Sequence, residues 1–318
     1  MRTRTLGTNG PEITVVGYGA WQAGGRNWGD PSPDDDVIAA MRAAVDSGQT
    51  WIDTAEVYGK GRSEELVGRA IAGRRDDVLL FTKVAPDDEG SGIRPDEIHA
   101  AIRASLRRLG TDRVDLYQVH WPDEAIAVEE TWGAMAQVVA DGLAVHVGVS
   151  NFDRALIERC RPIHPVASVQ NELSLLCRDD VDDLLPWLAA EGIGYLAFSP
   201  IASGLLTGRY AADATFPEND WRRDEFTPER LADAVPRVER LTAIAERLGV
   251  TTAQLAIAWV THQPGVTAAI CGTLSAENAR ANSAAGEIAL DAETLAEIDA
   301  AFTTGAGRPA CPGRGSRA

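Results

Sequence analysis

The chain has 318 residues, 45% of them hydrophobic, which is enough for a packed core and ordinary for a soluble protein. Its formal net charge is -17 at pH 7, with Asp and Glu spread over many segments, which argues against nucleic acid or an anionic membrane as partner. Cys160, Cys177, Cys271 and Cys311 show neither CxxC nor zinc-type spacing, so free thiols, no metal site and a cytoplasmic protein are expected.

The opening MRTRTLGTNGPEI lacks the apolar core of a signal peptide. It reads as a β-hairpin over residues 1–15, with Asn9-Gly10 as its turn. Val15–Trp21 is a strand leading into a loop with Gly24, Gly25, Trp28 and Gly29, and a helix runs from Ser32 or Asp34 to about Ser47. The pattern then repeats. Strands ending at Asp53, Lys83 and His120 precede helices near Ser63–Ala72, Pro95–Leu109 and Val128–Ala140. Ala144–Val149 ends at Ser150-Asn151 and precedes a helix near Asp153–Cys160, and Ala167–Gln170 precedes one near Asp179–Ala190. Ile193–Phe198 opens a long irregular segment to about Thr227, followed by helices near Val235–Leu248 and Thr252–His262. Val266–Ile270 precedes helices near Ala276–Ala284 and Asp291–Ala301, and the tail 303–318 reads as loosely held. No apolar run reaches the ~18 residues of a membrane helix.

Eight strand–helix units imply a parallel sheet with right-handed crossovers, closing as an α/β (β/α)8 TIM barrel in one domain over residues 1–318. The hairpin is extra and is expected to plug the bottom of the barrel. Such barrels keep their chemistry at the carboxyl ends of the strands. Three successive strands finish there with Asp53, Lys83 and His120, and Tyr58 lies in the first of the loops above them. A free tyrosine, with a pKa of ~10, is a poor acid at neutral pH. An ammonium at Lys83, held by Asp53, would stabilise the phenolate and lower that value. The phenol then exchanges a proton with a bound oxygen that His120 polarises. Such a site handles a carbonyl or an alcohol and needs a hydride cofactor beside it. Taken singly, the four also read as a surface tyrosine, a solvated lysine, a capping aspartate and an interior histidine.

The chain resembles the aldo-keto reductases over roughly Arg4 to Ala300. The matching stretches are GYGAW from Gly17, DTAEVYGKGRSEELVGRA from Asp53, TKV from Thr82, VDLYQVHWPD from Val114, VGVSNF from Val147, SVQNELSLL from Ser168, FSPIASGLLTGRY from Phe198 and ICGTLSAENARAN from Ile270. The resemblance implies a nicotinamide cofactor and a catalytic tetrad of Asp53, Tyr58, Lys83 and His120, with Tyr58 as general acid/base. It implies that Ser150, Asn151 and Gln170 hold the nicotinamide carboxamide, that Phe198 stacks on the ring, and that Ser199, Ile201, Ser203 and Gly204 lie over the pyrophosphate. Gly19, Ala20, Trp21 and Asp53 would complete the cofactor site near the ring, and Gly272, Thr273, Leu274, Asn278 and Asn282 at the adenosine.

Where related enzymes carry Lys or Arg for the adenosine 2′-phosphate, this chain has Gly272 and Leu274, and Ala281 replaces a usual Glu. NADP(H) is the family default. The missing cation predicts weakened 2′-phosphate recognition, with NAD(H) or dual use. Trp21, Trp28 and Trp121 are candidate substrate walls, and the 199–227 segment, with Trp221, is a candidate cover for the cofactor. Trp132, Trp187 and Trp259 fall within helices and read as packing residues. The expected activity is hydride transfer between nicotinamide and an aldehyde, ketone or sugar. The alternative is a cofactor-bound, non-catalytic subunit that senses redox state or associates with a channel.

Overall fold

The computed structural model describes all residues except 26–27, 30, 87–89, 304–310 and 312–318. Strands β1 (Thr3–Thr5) and β2 (Glu12–Thr14) pair antiparallel as the expected hairpin. After them come β3 (Val16–Gly19), β4 (Trp51–Asp53), β5 (Leu79–Val84), β6 (Val114–Val119), β7 (Ala144–Ser150), β8 (Ser168–Glu172), β9 (Gly194–Phe198) and β10 (Ala268–Gly272). Each pairs in parallel with the next, and β10 returns to β3, which closes the barrel.

The helices are α1 (Asp34–Asp46), α2 (Arg62–Ala70), α3 (Pro95–Leu109), α4 (Val128–Ala140), α5 (Arg154–Cys160), α6 (Leu184–Ala190), α7 (Arg222–Glu225), α8 (Pro228–Leu248), α9 (Thr252–His262), α10 (Ala276–Ala285) and α11 (Ala292–Thr303). Among the described residues no helix is long and apolar enough to cross a membrane. Local signals set many of the ends. Pro95 opens α3, and Gly110 stops it in the left-handed region at φ 67°. Thr251 and Gln254 form a reciprocal capping box at the start of α9.

Two helices start elsewhere than the sequence reading has them, and α7 falls within the segment read as irregular. Helix α8 begins at Pro228, not near Val235, because Thr227 caps it and Pro236 sits inside it without ending it. Helix α6 begins at Leu184, not Asp179, because the carboxylate of Asp180 turns inward to accept from Asn171.

The hairpin fills the base of the barrel. Leu6 and Ile13 are fully buried in one cluster with Trp51, Phe81, Leu116, Leu196, Ala268 and Ile270. A Cβ on Gly17 would lie 2.0 Å from the Trp51 ring, and one on Gly194 would lie 2.6 Å from Leu6 Cδ1. Glycine at these two places lets the strands close around large side chains.

The cysteines correct one expectation and part of another. Cys177 and Cys311 form a disulfide, while Cys160 and Cys271 are free and buried. Thr303 belongs to α11 and Cys311 is tied by the bond, so the tail is held at those two points; residues 304–310 and 312–318 lie outside the described residues. The bond spans 134 positions. Cys311→Ser should therefore cost about 3–5 kcal/mol on the chain-entropy account. That corresponds to a drop in Tm of about 5–8 °C for a chain of this size. Calorimetry of the oxidised protein beside the variant checks it, and equal midpoints would count against the bond.

Candidate active site

Asp53 ends β4, Lys83 is the penultimate residue of β5, and His120 follows β6 directly. The three strands are neighbours in the barrel, so the side chains meet at one rim. Lys83 is 0% exposed; its Nζ forms a hydrogen-bonded ion pair with Asp53 Oδ1 and donates to Thr54 O at 2.9 Å. Asp53 Oδ2 accepts from Gln170 Nε2 at 2.9 Å and from Gln118 Nε2 at 3.3 Å. The Lys83 ammonium lies over the Tyr58 ring, 5.2 Å from its centroid. The His120 ring meets Tyr58 edge-on, with centroids 5.6 Å apart. All four expected groups are gathered.

The electrostatics correct one point. Burial, and then the charge of Asp53, push the Tyr58 phenol well above its ordinary value, whereas the sequence reading had Lys83 lowering it. The reason is geometric. The ammonium is committed to Asp53 and sits against the ring face, so burial and the carboxylate outweigh it at the phenol. Burial also lowers Lys83, with Asp53 opposing. Burial and then the nearby Lys83 hold His120 well below the usual imidazole range, so His120 is neutral at pH 7. Its Nδ1 is buried and has no partner among the described residues.

Sequence reasoning missed several residues that brace the site. Glu56 accepts from the backbone of Ala85 at 3.1 Å and from the Ser91 hydroxyl at 2.6 Å. Ser63 donates to Ala20 O at 2.7 Å and shares a 2.9 Å hydrogen bond with Thr54. The carboxylate of Glu64, 0% exposed, accepts from Thr82 and from Arg108, each at 2.6 Å. These contacts fix the start of α2 to the ends of β3, β4 and β5. Glu172, at the end of β8, has its carboxyl pushed up to about 7 by burial, against the pull of Arg230. Only Glu172, at the carboxyl end of a strand, carried a signal of the kind used above; Glu56, Ser63 and Glu64 lie in a loop and on α2 and carried none.

The aromatic walls also converge. Trp121 stacks on His120 at 3.7 Å between centroids. Trp21 lies 6.4 Å from Tyr58 and 4.9 Å from Trp28, and Trp221 lies 5.5 Å from Trp21. Trp221 comes from the 199–227 segment, which reaches the loop after β3 through a bridge between Trp28 and Asp220. Trp132 and Trp259 are fully buried, and Trp187 packs partly buried on the core.

The candidate cofactor residues occupy the other arc of the rim, from β7 through β10 to β3. Ser150 donates to Gln170 O at 2.8 Å, and Asn151 is held at φ 61° with its side chain on His120 O at 3.0 Å. The Gln170 NH2 donates to Asp53 Oδ2 at 2.9 Å and to Gln118 Oε1 at 3.4 Å. Phe198 ends β9 in register with Glu172. Beyond it Ser199, Ala202, Ser203 and Gly204 all have positive φ, and Ile201 lies among them. Successive N–H groups near left-handed residues make anion-binding concavities, which makes this loop the candidate for the pyrophosphate. Ala20 is buried, and its N–H donates to Asp53 O at 2.8 Å. Gly19 pairs with Gly272, and a Cβ on Gly272 would lie 2.7 Å from Gly19 O. Thr273 is buried, and its carbonyl accepts from Tyr18. Leu274 packs against the core, and Asn278 and Asn282 lie on α10, capped by Ser275.

Comparison with known proteins gives one consistent result. The model of the Aldo/keto reductase family matches residues 15–302. The chain is similar to the aldo-keto reductase YhdN of Bacillus subtilis (strain 168), 35% identical over 281 residues, covering 86% of this chain and 85% of the relative. It is similar in structure to a glycerol dehydrogenase from Gluconobacter oxydans, with TM-score 0.84, 30% identity and 98% coverage of both chains. It is also similar to an aldo-keto reductase from Klebsiella pneumoniae in complex with NADPH, with TM-score 0.79, 32% identity and coverage of 99% of this chain and 98% of that one.

Proposed function

The chain belongs to the aldo/keto reductase family and is an NAD(P)H-dependent oxidoreductase, and from that premise we propose how its own residues act on a small carbonyl compound or alcohol. The observation that carries this reading is the buried Asp53–Lys83 ion pair against the ring of Tyr58, with neutral His120 beside it. A bound nicotinamide coenzyme supplies or accepts the hydride. Tyr58 donates its proton to the substrate oxygen in reduction and recovers it in oxidation. The raised phenol keeps the donor form standing at neutral pH. His120, uncharged, donates an N–H to the same oxygen and polarises it. Lys83 balances the phenolate while it lasts, and Asp53 keeps Lys83 in place. Trp21, Trp28 and Trp121 form the substrate walls.

Ser150, Asn151 and Gln170 would hold the carboxamide, Phe198 the ring face, Ser199, Ile201, Ser203 and Gly204 the pyrophosphate, and Thr273, Asn278 and Asn282 the adenosine. Gly19, Ala20 and Gly272 serve as backbone floor, and the 199–227 segment as the cover. The gathered tetrad supports an enzyme over a non-catalytic, redox-sensing or channel-associated subunit. Nicotinamide absorbance followed against a panel of aldehydes, ketones, sugars and glycerol tests this. Tight coenzyme binding with no turnover of any member would overturn it. Glycerol enters the panel because a structural relative is a glycerol dehydrogenase. A cytoplasmic location and a single domain belong to this proposal too. A Cys177–Cys311 bond that survives rapid alkylation of intact cells would argue against the cytoplasm.

We propose dual coenzyme use, because no Lys or Arg stands at Gly272 or Leu274. Position 272 cannot take a side chain without moving Gly19. Leu274→Arg is thus the natural place to restore a cation. It should tighten NADPH by about tenfold to a hundredfold and leave NADH nearly unchanged. Fluorescence titration with both coenzymes checks it, and wild-type protein already holding NADPH a hundredfold tighter than NADH would refute dual use.

A further inference from the structure

The loop after β8 folds back beneath the strand that bears Gln170. There Asp180, 3% exposed, accepts on Oδ2 from Asn171 Nδ2 at 2.9 Å and from the Tyr195 hydroxyl at 2.9 Å. Asn171, 2% exposed, accepts on Oδ1 from the backbone N–H of Asn151 at 2.9 Å. Asn151 sits at φ 61°, in the left-handed region that residues with a Cβ seldom adopt. Its side chain spans His120 O at 3.0 Å and the Ser150 hydroxyl at 3.1 Å.

We propose that Asp180, acting through Asn171, is a positioning residue for the coenzyme: it sets which way the Asn171 amide points, and that amide holds Asn151 in its left-handed conformation. This rests on the reading above that Asn151 holds the nicotinamide carboxamide. Asp180 Oδ2 takes the hydrogen bonds from Asn171 and Tyr195 as acceptor, and Phe152 O, 3.4 Å from Asn171 Nδ2, can only accept. Asn171 must therefore turn its NH2 to Asp180 and its oxygen to Asn151. An amide that donates to a carboxylate is polarised along its length, which makes its oxygen the better acceptor. With the amide reversed, two donors would face each other at Asn151, and its N–H would keep only the longer bond to Gln170 O at 3.1 Å. Tyr195 shares the same carboxylate oxygen but lies off this path, so it is an internal control.

The test uses the full chain and titrates NADPH and NADH by fluorescence, with circular dichroism and Tm recorded for every variant. Asn171→Leu and Asp180→Ala should each weaken coenzyme binding by about tenfold. The double variant should be no weaker than either single, because both changes cut one path. Tyr195→Phe should keep its affinity within about twofold. At saturating coenzyme, KM for the carbonyl substrate should not move. Should Asp180→Ala fail to fold, Asn171→Leu carries the same comparison.

If Tyr195→Phe weakens binding as much as Asp180→Ala, the cluster acts by general packing and the proposal falls. It falls as well if Asn171→Leu binds normally while Asn151→Ala binds weakly, for then Asn151 is held without the relay. Normal binding by Asn151→Ala would instead sink the carboxamide assignment, and the relay with it.

Discussion

Tyr58→Phe is expected to lower kcat by about 10²–10⁴, the range for losing a positioned acid or base, with coenzyme affinity nearly intact. Phenylalanine keeps the ring that packs near Trp21 and His120 and removes only the proton carrier. The direction of reaction sharpens this. Burial and Asp53 raise the phenol well above its ordinary value, so the protonated form, the acid for reduction, stands throughout the neutral range. Oxidation of an alcohol needs the basic form, which is scarce until the pH is alkaline. Its kcat/KM should therefore climb with pH across the measurable range, while reduction stays flat near neutrality. Rate profiles in both directions decide the matter. A variant that retains most of its turnover, or an oxidation rate that falls as pH rises, would remove Tyr58 from its role.

Lys83→Met should show two separable losses. Lys83 is fully buried and paired with Asp53. Removing one member of a buried ion pair leaves its partner charged without compensation, at about 3–5 kcal/mol of stability. Turnover should fall as well, because nothing then balances the phenolate. Replacing both members, in Asp53→Asn with Lys83→Met, should recover much of the stability, since no uncompensated charge remains, yet leave turnover low. Urea midpoints and kcat for the three proteins separate the effects. A double variant as unstable as the single would show that packing at this point, and not the stranded carboxylate, sets the cost.

Much of this was legible in the chain because the signals are local. A polar residue at the end of a short apolar run marks a rim position, and Asp53, Lys83 and His120 were read that way. The hairpin was legible from Asn9-Gly10 and the alternation on either side. The unread parts depend on contacts remote in sequence. Asp180 falls in the first turn of a helix expected from Asp179, because nothing nearby reveals that Asn171 and Tyr195 claim its carboxyl oxygen. The helix expected near Val235–Leu248 has its capped start upstream, at Thr227-Pro228, because Pro236 is tolerated inside it. The Cys177–Cys311 pair has no local spacing to betray it. The Tyr58 shift was read with the wrong sign because a sequence places a lysine near a phenol without saying which group its ammonium satisfies.

The stopper made by Leu6 and Ile13 has a further consequence. With the foot of the barrel filled by Leu6 and Ile13, the axis is a packed core among the described residues, and the tetrad is approached from the opposite rim. A guest lying beneath another is trapped until the upper one goes. The order of arrival and departure is therefore the thing to measure, by product inhibition, with Trp221 of the 199–227 segment standing 5.5 Å from Trp21 at that rim.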